Sequence, residues 1–381
     1  MRKVLFLALG MAVCAGVLHA QADDDEDEMD YFPLVPSGNS LQFGLRVIGS
    51  PKVSFGKLGS VAGTSELGLA TGPADRSYND GGVALDHRTD ANGNPVNDGL
   101  TNSWNYNFAS QVTSSGDMSF HAYSADTLGV GLNANKHSMS GWVLQIGHTL
   151  GRVGGKVEFD LVAGLSFNSV LSKVTGDVPA TLTAVTDVYP LYGQTPPAAP
   201  YTAPTSSSRP VVDADGNPVL DSTGSPQTTS VDSSTVLGTD PSRTTTTSQT
   251  NVHGHWEVKG AYYTFRLGPV IKLPLTERLK LSLGAGAALA FVGTTYSAEE
   301  SVDLTDVTTT LATADYTNRS VLLPAYFADA NAEYWLTERS GFYIGASFQK
   351  SGSFDQTVGG RTAQIDLGSS YGIQSGITLR F

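Results

Sequence analysis

Past residue 22 the chain has no apolar run of the about 20 residues that a membrane-crossing helix needs. Cysteine is almost missing: the single one, Cys14, falls inside the first apolar stretch, so no disulfide framework is available. Charged residues are few, 15% of the chain, and the formal net charge is −13. With no clustered Lys and Arg, that balance excludes nucleic acid as a partner, because phosphate binding needs concentrated positive charge. No glycine-rich phosphate loop or nucleotide motif is present. Histidine is absent from residues 256–381. That leaves His87, His121, His137, His148, His253 and His255 for any Ser–His chemistry beyond the first segment. His253-Gly-His255 puts two imidazoles on one strand face, the best enzymatic or metal-binding pattern available, but no third ligand accompanies it. The expectation is a chain that is not an enzyme and holds no cofactor.

What is present begins with a leader. Arg2 and Lys3 precede an apolar core at residues 4–18, and Ala20-Gln21-Ala22 offers a small-x-small cleavage site. Residues 1–22 therefore read as a secretory signal peptide, whose removal takes the net charge from −13 to −15. Lipidation of Cys14 is disfavoured by Val13 before it. Residues 23–39 open on Asp23-Asp-Asp-Glu-Asp-Glu28 and read as a disordered acidic tail.

From residue 40 onward the signal is period two. Eight segments alternate apolar with polar or small residues. They carry Leu41, Phe43, Leu45 and Val47; Trp142, Leu144, Ile146 and Leu150; and Val157, Phe159, Leu161, Leu165 and Phe167. Next come Tyr263, Phe265, Leu267, Ile271 and Leu273, then Leu279, Leu281, Leu283, Leu289 and Phe291. A fainter sixth has Tyr326, Ala328, Ala330, Ala332 and Tyr334, and a seventh has Phe342, Ile344, Ala346 and Phe348. The eighth, beginning near Ala363, runs through Tyr371, Ile373, Ile377 and Leu379 to Phe381. Each offers the about 9–11 residues of a tilted membrane strand. Gly151-Arg-Val-Gly-Gly155, Leu275-Thr-Glu-Arg278 and Leu336-Thr-Glu-Arg-Ser-Gly341 are tight turns, whereas the other four links are long. Such asymmetry marks a membrane barrel, and an even strand count leaves both ends on the short-turn side.

A strand that closes on Tyr371, Ile373, Ile377, Leu379 and a terminal Phe381 resembles the last strand of bacterial outer-membrane β-barrels. The layout as a whole is similar to the small barrels of the OmpA, OmpX and OmpW type, at the level of architecture. The resemblance implies an antiparallel transmembrane β-barrel in the outer membrane of a Gram-negative-type bacterium, all-β, with short periplasmic turns and long extracellular loops. It implies that the closing residues are read by the barrel-assembly machinery, and that outer-membrane lipid and lipopolysaccharide are partners. The roles it implies are a surface or adhesion protein, a narrow channel for small solutes, or, less favoured, a lipid-modifying enzyme. It leaves the extracellular ligand open.

Between the apolar positions lie Arg46, Lys156, Glu158, Asp160, Arg266, Lys272, Lys280, Asp329, Glu333, Asp366 and Arg380. An eight-stranded barrel has room inside for side chains and little else, so these charges are expected to pair and plug it. Trp142, Trp256, Trp335 and Tyr343 are expected as anchors at the membrane interfaces. The long connections span about residues 50–138 and 170–253. The second, rich in Thr, Ser, Pro and Gly, is expected to be extended and mobile. The first carries Ser119-Phe-His-Ala-Tyr123, which could add a hairpin and make ten strands. Asp90-Ala-Asn-Gly-Asn-Pro recurs as Asp213-Ala-Asp-Gly-Asn-Pro. Asp90, Asn92, Asp213 and Asp215 could ligate calcium, but the full ligand spacing is missing and Asp-x-x-Gly before Pro is a good plain turn.

Overall fold

The computed structural model describes residues 38–63, 67–88, 94–127, 129–135, 138–153, 157–203, 206–232, 234–304 and 310–381. Residues 1–37, where a leader and an acidic tail are expected, Lys156, His137 and the first repeat with Asp90 and Asn92 lie outside them.

Eight antiparallel strands close into a ring: β1 (Asn39–Gly49), β2 (Ser138–Val153), β3 (Val157–Tyr189), β4 (Ser242–Pro274), β5 (Leu279–Asp303), β6 (Thr310–Trp335), β7 (Ser340–Ser351) and β8 (Ser369–Arg380). Each pairs with its neighbour in sequence, and β8 pairs with β1, from Ser40 opposite Arg380 to Ile48 opposite Gly372. The alternation holds in all eight. Leu45, Phe265, Leu267, Ile344 and Ile373 stand outward and exposed, while Arg46, Arg266 and Gln374 are buried inside. One irregularity, between Thr149 and Gly151 of β2, shifts the register with β3 by a residue.

The short links explain themselves. Leu-Thr-Glu-Arg occurs twice, and in each copy the threonine hydroxyl caps the turn. Thr276 Oγ1 accepts from the amides of Arg278 and Leu279 at 3.3 and 3.0 Å. Thr337 Oγ1 does the same for Arg339 and Ser340 at 3.2 and 3.0 Å.

Strands β3 to β6 run on well past the ends of the others, and along β3 to β5 the apolar phase changes sides. Up to Phe167, Tyr263 and Phe291 the outward residues are apolar. Beyond them the outward positions become Lys173, Thr175 and Asp177 on β3, His253, His255, Glu257 and Lys259 on β4, and Thr295, Ser297 and Glu299 on β5. Val170, Val178, Trp256, Val258, Val292, Tyr296 and Ala298 are buried on the inner face. Greasy outside with polar inside thus gives way to polar outside with greasy inside.

The inner face of this extension meets a second sheet. Residues 353–358, 361–366, 52–56 and 132–133 form four strands in that order. The hairpin between the first two turns on Gly359 and Gly360, both at positive φ (52° and 82°), as a two-residue turn requires. Phe354, Val358, Ala363, Ile365, Val53 and Phe55 join the apolar core under the extended wall. A second core, around Tyr78, Trp104, Tyr106, Phe120 and Tyr189, lies among the short strands of residues 76–106 and strand Met118–Asp126.

Three expectations are corrected here. Strand β8 begins at Ser369, not near Ala363, which is fully buried in the capping hairpin. Strand Met118–Asp126 pairs with the far end of β3 beyond the ring, so it widens the sheet without adding a ring strand. Much of the second long connection is strand: residues 170–189 and 242–253 continue β3 and β4, paired residue for residue. Their apolar positions had moved to the opposite phase, which hid them.

Candidate functional site

Inside the ring, polar side chains meet across the interior. Arg266 Nη1 donates to Asp329 Oδ2 at 2.7 Å, and Lys272 Nζ lies 2.7 Å from Asp160 Oδ2. Glu158 is the hub at the turn end: Lys280 donates to it at 3.0 Å, and Arg380 and Arg152 each at 3.1 Å. Gln42 Nε2 donates to Glu333 Oε1 at 3.0 Å. Arg46, fully buried, is held by Ser166 Oγ at 3.1 Å and Gln349 Oε1 at 3.3 Å, and no carboxylate ion pair forms with it among the described residues. Between Gln42, Lys272, Asp329 and Glu333 a cavity of about 20 Å³ remains, the room of about one water.

Of the eleven expected interior charges, nine are therefore brought inside the ring. Lys156 lies outside the described residues, and Asp366 is misplaced. Its carboxylate accepts from the Gly368 amide at 2.9 Å, capping the turn that leads from the hairpin into β8. The expected anchors divide in the same way. Trp142 is outward, stacked on Phe167 at 6.1 Å, and Phe167 meets Tyr263 at 5.2 Å in an aromatic band. A second run, Tyr326, Phe348 and Tyr371, continues the band on the far side. Trp335, Tyr343 and Trp256 are corrections: all three are buried inside. Trp335 lies under the Arg380 guanidinium, 4.3 Å from its centroid. Adjacent aromatics on a strand cannot share a face, and Tyr334 and Phe342 hold the outward positions.

Above the polar layer the apolar core joins the hairpin to the extended wall, stapled by one buried ion pair. Arg361 Nη2 lies 2.8 Å from Glu300 Oε2, with both side chains almost wholly buried. Glu300 Oε1 also accepts from Trp256 Nε1 at 2.7 Å and from the Gly59 amide at 2.8 Å. Arg361 donates further to the Ser60 carbonyl at 2.8 Å. The sequence did carry a signal for this site. Glu300 is a charge on the inner, apolar phase of β5, where it must be partnered.

Further out, Asp187 gathers a second network. Arg243 donates to it twice, from Nε and Nη2, each at 2.7 Å, and the Tyr78 hydroxyl donates at 2.6 Å. The Tyr78 and Tyr189 hydroxyls are 2.8 Å apart, and Arg76 Nη1 donates to Tyr189 at 3.3 Å. Burial, then the bond to Asp187, pushes the Tyr78 phenol far above its ordinary range, so it stays protonated as a donor. The bonds to Asp187 raise Arg243. This network ties residues 67–78 to β3 and β4.

Four of the histidines have a local partner. Asp80 Oδ2 holds His121 Nδ1 at 2.6 Å, an oriented imidazole stacked on Tyr123. His148 Nδ1 meets Asn39 Oδ1 at 2.8 Å on the outward face. His253 Nδ1 lies 2.6 Å from Asp177, with Asp303 at 3.8 Å from Nε2. The hydrogen bond to Asp177, and secondarily its charge, raise the His253 pKa. His255 Nδ1 meets Thr175 Oγ1 at 2.7 Å. No cluster of three metal ligands forms among the described residues. At Asp213 the carboxylate accepts from the amides of Asp215 and Asn217 at 3.0 and 2.9 Å, the geometry of the plain turn.

No family model matches the chain, and no curated relative does. Solved structures do. The outer membrane protease OmpT from Escherichia coli is 10% identical, with 92% of this chain and 99% of that chain covered, at a TM-score of 0.31. A FadL homologue from Pseudomonas aeruginosa is 10% identical, with 90% of each covered, at 0.18. An anion-selective porin from Comamonas acidovorans is 10% identical, with 90% of this chain and all of that one covered, at 0.13. These are outer-membrane proteins, and none is of the OmpA, OmpX or OmpW type. At such identities and scores they carry no activity to this chain. They do correct one expectation. A protease stands among these neighbours, so the exclusion of enzymes drawn from the scarcity of histidine is withdrawn.

Proposed function

We propose that this chain is an outer-membrane β-barrel protein with a filled interior, and that its work is done by the folded β-structure displayed outside the membrane. The observation that carries the reading is the change of phase along β3 to β5. A closed ring with apolar residues outside and paired charges inside suits hydrocarbon, where every backbone group must be satisfied and the outer surface greasy. Strands that then turn polar side out have entered water. The aromatic band around Trp142, Phe167 and Tyr263 supports a boundary at that level.

The role proposed is surface interaction, with outer-membrane lipid and lipopolysaccharide around the ring and the barrel-assembly machinery as the partner in insertion. Seven of the nine interior charges are ion-paired and Arg46 and Glu333 are held by neutral side chains, and with the stapled apolar cap they support a barrel that does not conduct. A cation site at Asp213 and Asp215 is not part of the proposal, because the turn amides already use the Asp213 carboxylate.

Cysteine labelling tests the display. After Cys14 the chain has no thiol, so single substitutions read cleanly. In intact Gram-negative cells, Asp215→Cys should react with a membrane-impermeant maleimide, and Glu277→Cys only after the outer membrane is permeabilised. The reverse pattern, or no labelling of Asp215→Cys in folded protein, contradicts the proposal.

A further inference from the structure

Residues 242–252 of β4 are paired on one side only. Their partner is β3, from Val188 opposite Ser242 down to Val178 opposite Val252. On the other side pairing with β5 begins only at His253. No other strand among the described residues reaches this edge. The opposite edge of the same sheet is closed, since β3 pairs there with Met118–Asp126 and that strand in turn with Val61–Ala62. In an antiparallel pair, alternate residues direct their N–H and C=O away from the partner, so a ladder of backbone groups faces outward here.

Exposed edges are normally blunted by lysine, proline, a bulge or shortness. Residues 244–251 read Thr-Thr-Thr-Thr-Ser-Gln-Thr-Asn, with no charge, proline or glycine, and the register with β3 runs through them unbroken. Side chains 244–249 are exposed on both faces. Threonine favours the extended backbone, and its hydroxyls hydrogen-bond across strands. The charges lie at the ends. Exposed Asp240 precedes the strand next to Arg243, which is paired with Asp187, and Asp177 and Asp303, mostly exposed, flank its foot on either side of His253, so carboxylates outnumber cations at both ends.

We infer that residues 244–251 are a docking edge for an extended strand of a partner polypeptide, neutral and β-branched along its middle and carrying Lys or Arg at its ends. Main-chain hydrogen bonds supply the attachment, as in strand addition generally, and the terminal aspartates select the basic flanks. A second copy is disfavoured as occupant, because each chain brings a net charge of −13 and the same acidic ends. The inference rests on the surface-interaction reading above and names its partner class.

The test uses the full chain in detergent micelles and a labelled peptide, Lys-Thr-Val-Thr-Val-Thr-Val-Thr-Lys, followed by fluorescence anisotropy. The peptide binds, and hydrogen exchange slows at residues 244–251. N-methylation of alternate peptide amides along one edge weakens binding at least about tenfold, because the main-chain bonds are lost. The variant D240N/D303N weakens the Lys-flanked peptide and leaves a Thr-flanked one unchanged. No binding, binding that survives N-methylation on either edge, or protection elsewhere overturns the inference. So does a concentration-dependent dimer that protects the same amides, which assigns the edge to a second copy. Because Asp215→Cys labelling reads display independently, a displayed chain that ignores the peptide overturns this inference alone.

Discussion

Replacing Arg361 by leucine should loosen the cap without opening the ring. Arg361 and Glu300 are both nearly inaccessible and 2.8 Å apart, and they join the hairpin of residues 353–366 to β5. Breaking a buried pair by removing one partner costs about 3–5 kcal/mol, since the other charge stays behind. Each 1.36 kcal/mol is tenfold in an equilibrium, so amides of the hairpin should exchange with solvent roughly 150- to 5,000-fold faster. Glu300→Leu should cost more than Arg361→Leu, because it also strands the Trp256 indole N–H and the Gly59 amide. Glu300→Gln, which keeps an acceptor, should cost less. In E300L/R361L no unpaired charge remains between the two, so the double variant should lose less than the sum of the singles. Hydrogen exchange by mass spectrometry, with far-UV circular dichroism as the fold control, reads all four. If Arg361→Leu changes hairpin exchange less than about fivefold, or the two losses simply add, the staple is not what holds the cap.

Other outcomes follow from the same geometry. Leu267→Arg, on the outward face of β4, should destabilise the protein in lipid vesicles by about 2–4 kcal/mol in urea titrations, and Thr247→Arg, above the boundary, should not. Lys272→Met should cost about 3–5 kcal/mol by leaving Asp160 buried and alone, and adding Asp160→Leu should recover most of it. His253 should titrate above the ordinary value of 6.5 in proton NMR, with Asp177→Asn returning it toward that value. Since the folded pKa is the raised one, this pair stabilises fully below about pH 6.5 and the contribution fades as pH rises through the folded pKa.

How much of this was legible depends on which solvent a strand faces. Within the belt, alternation placed Leu45 and Arg46, or Phe265 and Arg266, on their correct sides, because lipid favours apolar residues outward. The same rule would have sent Trp335 and Trp256 inward. Tryptophan as a residue type marks membrane interfaces, but on a strand the phase decides the face. Above the belt the rule inverts, so Lys173, Thr175 and Asp177 read as a polar loop although they are one face of a strand whose other face holds Val170 and Val178. The staple between Glu300 and Arg361 joins residues far apart in sequence, and only the charge on an apolar phase hinted at it. Arg46 shows the reverse case: its place was legible, but its partners Ser166 and Gln349 were not, since neutral acceptors leave no charge pattern.

The most direct test of the central claim is single-channel recording from refolded residues 23–381 in a planar lipid bilayer. The paired interior charges and the stapled cap predict folded, inserted protein that passes no steady current. Reproducible conductance steps from protein shown to be folded would mean a continuous water path through the ring, and would contradict the account.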